Sequence, residues 1–147
     1  MNELINYAKS KLRVDKRLLL TYILVYFTAG NIMNQLGTVA EIARFTYWWQ
    51  IITVYLLYMI PVSLLLRGLP FHMQYAYGLI AMSLLEFGGY ALQSSYAYPG
   101  NIIETTFNIR NFALSMALFF ALYFPLGNAL VEKIYALVFR TTNDEKP

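Results

Sequence analysis

The chain has 147 residues, of which 59% are hydrophobic and 13% charged, with a formal net charge of +3; a soluble domain has about a quarter of its residues charged. That balance, with a mean hydropathy of +0.47, excludes an ordinary water-solvated globule, and the absence of cysteine excludes disulfides and thiolate metal sites. The basic residues flank apolar stretches instead of forming one patch, so nothing points to a nucleic-acid partner.

In the first sixteen residues Leu4, Ile5, Ala8 and Leu12 recur at helical spacing, and Lys9, Arg13 and Lys16 occupy the remaining surface. The pattern predicts a short interfacial helix on an anionic leaflet, with a solvated, frayed start as the alternative. Four stretches free of Asp, Glu, Lys and Arg follow: Leu18 to Leu36, Phe45 to Leu66, Gly68 to Leu85 and Asn111 to Val131. Each is about long enough for a helix to cross roughly 30 Å of hydrocarbon. Long apolar runs select helices over a barrel, whose strands alternate over about ten residues. The expected fold is an all-α, four-helix transmembrane bundle in a single domain, 1–147. Its spans are placed at about 18–36, 45–66, 71–95 and 109–131, followed by a polar tail, 141–147. No small-x-small cleavage pattern follows the first stretch, so it is expected to be a retained helix and not a signal peptide.

Nine of the eleven basic residues fall before the first span, in the turn at Arg67 or after the fourth span; only Arg44 and Arg110 fall in the other two connections. The positive-inside rule therefore puts both termini in the cytoplasm, most simply that of a bacterium, with the chain in its inner membrane. Tyr47, Trp48 and Trp49 and the turn Tyr98-Pro99-Gly100 suit the outer headgroup zone. Pro61 and Pro125 favour kinks, and Gly88, Gly89 and Gly127 allow close helix approach.

Glu86 stands out because a carboxylate near a bilayer midplane is costly unless it is protonated, paired or wetted. On the third span, His72, Tyr75, Leu79, Met82, Glu86, Gly89 and Gln93 share one broad face, expected to look into the bundle. The outer half collects Asn31, Asn34, Gln35, Gln50, Tyr90, Gln93, Arg110 and Asn111, whereas the inner half looks much less polar. These positions predict a recess opening outward, with Glu86 at its floor and Arg110 at its mouth, where Arg110 pairs with Glu86 or with Glu104. The expected ion or ligand path is Glu86, Arg110, Gln93, Asn111, Asn31 and Tyr90, and His72 is a candidate pH-sensitive residue at the opposite interface. The competing reading is that several of these groups merely occupy the headgroup zone.

A single histidine and no cysteine leave no metal cluster of those ligands, no cofactor motif and no nucleophile–base set, so no catalytic residue is assigned. The expected function is an oligomeric transporter, channel or flippase-like protein that uses Glu86, and not an enzyme. The alternative is an accessory or immunity-type subunit bound to another membrane protein; a lipid-modifying enzyme is the least favoured. The partners expected are membrane lipids and either further copies of the chain or that membrane protein.

Overall fold

Asp15 begins the first long helix with extended backbone and a carboxylate that accepts from the Arg17 amide at 3.3 Å, satisfying one of the free donors of a helix start. The computed structural model describes residues 2–107 and 111–140, so the tail 141–147 lies outside the described residues. Helix α1 (Asn2–Leu12) is followed by α2 (Lys16–Val39), strand β1 (Ala43–Phe45), α3 (Ile52–Leu66) and α4 (Phe71–Ala91). Strand β2 (Ser95–Ala97), a short α5 (Ile102–Phe107), α6 (Phe112–Phe120) and α7 (Tyr123–Tyr135) complete the order, and α7 continues into wide turns over Ala136–Arg140. The class is all-α, as expected, with one two-stranded ribbon added.

Four helical legs pack side by side: α2, α3, α4 and the pair α6–α7, with α4 lying most extensively along α6 and α2 along α7. Among the described residues one helix, Phe112–Phe139, is long and apolar enough to cross a membrane, and Ile52–Leu66 is apolar but shorter. Asn31, Asn34 and Gln35 dilute α2, and His72, Gln74 and Glu86 dilute α4.

Both prolines mark irregularities. Ile52–Met59 winds in wide π-helical turns that give way to regular α-helix at Ile60–Leu66, where Pro61 occupies the first turn. Pro125 has no amide hydrogen for the Ala121 carbonyl; Phe124 donates there instead at 3.4 Å, and the fourth leg breaks between α6 and α7.

Strands β1 and β2 pair antiparallel, with Arg44 opposite Tyr96, and form a lid over one end of the bundle. Phe45 and Ser95, expected at the ends of spans 45–66 and 71–95, belong instead to this ribbon. At the other end α1 docks beside the α3–α4 turn, where Tyr7 donates to the Leu65 carbonyl at 2.9 Å and Lys11 to the Arg67 carbonyl at 2.6 Å.

The face α4 turns inward is Gln74, Gly78 and Met82, all buried, rather than the arc through His72 and Tyr75. Gly78 sets that register, because the Phe124 ring of α7 occupies the place a β-carbon would take. His72 is exposed at the helix start and Tyr75 reaches across to the Leu118 carbonyl at 3.1 Å.

Candidate functional site

Beneath the lid lies a cavity of about 60 Å³, room for a few water molecules. The lid contributes Ala43, Arg44, Phe45 and Ser95; α2 contributes Met33 and Asn34; α3 contributes Val54, Tyr55 and Met59; α4 contributes Met82, Glu86 and Tyr90; α6 contributes Met116 and Phe120. Tyr90, Glu86 and Met82 descend α4 at four-residue spacing, so successive turns present them to one side. Glu86 therefore stands on the wall, and the buried Met59 and Met82 lie deeper than its carboxylate. The wide turns of α3 bring Val54, Tyr55 and Met59 to the same space, and such turns recur at functional sites.

No described residue hydrogen-bonds the Glu86 carboxyl, yet no buried side-chain oxygen in the described chain lacks a partner. Its oxygens therefore open onto the cavity rather than being sealed in protein. Arg44 is the one basic residue lining this space among the described residues. Its guanidinium lies over the Tyr96 ring at 5.3 Å and the Tyr98 ring at 5.8 Å, which holds the cation on the lid. Arg110, expected at the mouth, lies outside the described residues, as does its expected pairing with Glu86 or Glu104.

Of the expected path residues, Glu86 and Tyr90 line the cavity together. Asn31 instead donates to the Phe27 carbonyl of its own helix at 2.8 Å. Gln93 sits at φ 56 in the turn out of α4, and its carbonyl accepts from Thr46 at 3.4 Å. Asn111 caps α6, its side chain accepting from the Leu114 amide at 3.1 Å. The polar residues of this end mostly build the lid: Asn34 accepts from the Phe45 amide at 3.2 Å, and Gln50 accepts from the Tyr47 amide and donates to the Ser94 carbonyl, both at 2.7 Å.

A second polar cluster lies in the half read from the sequence as much the less polar. Tyr22 donates to Asn128 Oδ1 at 2.6 Å, and Asn128 Nδ2 donates to Gln74 Oε1 at 2.7 Å and to the Ser63 carbonyl at 3.1 Å. Gln74 donates in turn to the Leu69 carbonyl at 2.8 Å, and the Tyr26 and Ser63 hydroxyls share a hydrogen bond. All five side chains are buried, and they tie α2, α3, α4 and α7 into one closed plug. The sequence signal was the i, i+4 pair Tyr22 and Tyr26 facing single polar residues at 63, 74 and 128, which reads equally well as aromatic lipid contact.

No family model matches the chain, and neither a curated protein nor a solved structure shows recognisable similarity to it.

Proposed function

We propose that the four helical legs are membrane spans with the termini in the cytoplasm, and that the chain moves a cation or proton through an outward-facing site in which Glu86 is the binding carboxylate. The observation that carries this reading is a carboxyl that no described residue hydrogen-bonds, in a small space beneath a lid. A charge at that depth is hard to account for as packing alone.

The topology is supported by the pairing of β1 with β2, which brings the first and third long connections to one end, as four successive crossings require. The lengths agree: α2 with 24 residues and α4 with 21 rise roughly 36 and 31 Å. Helix α1 leaves Leu4, Ile5 and Leu12 exposed while touching the α3–α4 turn through Tyr7 and Lys11, as a helix lying in a leaflet would.

The plug around Asn128 closes the cytoplasmic half, so passage requires those hydrogen bonds to open or a neighbouring copy to complete the path. A shallow apolar groove between α2 and α7, lined by Leu24, Thr28, Ile32 and Leu130, offers a seat for such a copy. The same groove favours, as a second reading, an accessory subunit that receives another protein's helix; a stoichiometric partner on gentle purification would decide for it.

The experiment is flux in liposomes that contain the purified chain, comparing wild type with Glu86→Gln for proton and monovalent-cation movement. Loss of at least about tenfold is expected, since the replaced carboxylate is the charge that binds; equal flux in both proteins would refute the reading.

A further inference from the structure

Six methionines occur in the chain, and four of them, Met33, Met59, Met82 and Met116, line the one cavity under the lid. Each comes from a different leg of the bundle: α2, α3, α4 and α6. They lie far apart in sequence, so no local pattern groups them; only the packing of four helices does. Methionine is a common gap-filler, but that use scatters it through a core, whereas Met73 is the one other methionine among the described residues and it lies exposed on α4.

We propose that this cavity binds a soft monovalent cation, Cu(I) or its analogue Ag(I), through methionine thioethers. Thioether sulfur is a soft, neutral donor that discriminates against magnesium, calcium and manganese, which take oxygen ligands. A filled d shell imposes little geometric demand, so sulfurs from several helices can serve without a fixed polyhedron. Neutral sulfurs bring no countercharge, and the carboxylate of Glu86 on the same wall supplies one. The space suits a cation stripped of its water and is too small for a bulky organic ligand. Histidine and cysteine were the ligands sought in the sequence, and neither is needed here.

The inference gives the proposed carrier a substrate class and rests on that reading for transport, though not for binding. Its test is equilibrium binding by the full-length chain in detergent under anaerobic conditions, with Cu(I) shared against bicinchoninate and read by absorbance. One Cu(I) per chain is expected, with affinity lowered at least about tenfold by Met82→Leu or Met116→Leu, since even groups that only support a metal ligand cost that much. Met73→Leu should bind as wild type does. Leucine is close to methionine in volume, so the core persists; Met33→Leu, at a half-buried position, provides a second test if a deeper variant fails to fold. No Cu(I) uptake by wild type, or uptake undiminished in the Met82→Leu/Met116→Leu double variant, overturns the proposal. Glu86-dependent proton or sodium flux without Cu(I) uptake rejects this inference and keeps the carrier reading; methionine-dependent Cu(I) binding without flux of any ion does the reverse.

Discussion

The hydroxyl of Tyr22 donates to Oδ1 of Asn128 at 2.6 Å across the seam between α2 and α7, joining residues at opposite ends of the chain. Asn128 spends both amide hydrogens as well, on Gln74 and on the Ser63 carbonyl. Asn128→Leu should therefore remove three interhelical hydrogen bonds at once. At the roughly 0.6 kcal/mol average measured between membrane helices, the expected loss is about 2 kcal/mol, read as a lower midpoint in denaturant titration from mixed micelles. An unchanged midpoint would mean that the plug adds nothing to stability.

Gly78 and Gly88 lie on one helix and should respond oppositely to the same substitution. A β-carbon at Gly78 collides with the Phe124 ring, whereas one at Gly88 meets nothing within 4 Å. Gly78→Ala is expected to destabilise by about 1–3 kcal/mol through overpacking, and Gly88→Ala to be neutral or to stabilise by up to about 1 kcal/mol through helix propensity. Thermal unfolding of the two variants, side by side in one detergent, checks the contrast.

If the lid controls entry to the cavity, fixing it shut should stop flux. Ala43 and Ala97 are directly opposed in the ribbon, and the chain has no cysteine to interfere. The double variant Ala43→Cys/Ala97→Cys should lose flux on oxidation and regain it on reduction, as followed in liposomes with wild type treated in parallel. Full flux in the oxidised, crosslinked protein would show that the ribbon is only a brace.

Much of the helical layout was legible because burial and charge act along the chain: four charge-free stretches mark four legs, and Glu86 stood out because it ends one such stretch inside the expected span 71–95, where a carboxylate is costly. The lid was not, since Ala43–Phe45 and Ser95–Ala97 are too short to show alternation and their pairing is non-local. Helix boundaries shifted for the same reason, the ribbon taking residues that composition assigned to spans. Asn31, Gln93 and Asn111 were drawn into the expected path by depth alone, whereas their hydrogen bonds tie them to a helix backbone, a turn and a cap. The four cavity methionines were visible one per span, but nothing in the sequence put them around one cavity.

The central claim is that the lid faces outward and the α1 end faces the cytoplasm, and single cysteines placed in this cysteine-free chain test it most directly. Thr46→Cys and Pro99→Cys lie at exposed positions of the lid end, and Ser10→Cys at an exposed position of the other. In intact cells, a membrane-impermeant maleimide should label the first two and spare Ser10→Cys until the membrane is permeabilised. Labelling of Ser10→Cys in intact cells, or protection of both lid positions until permeabilisation, would contradict the orientation and with it the outward-facing site at Glu86.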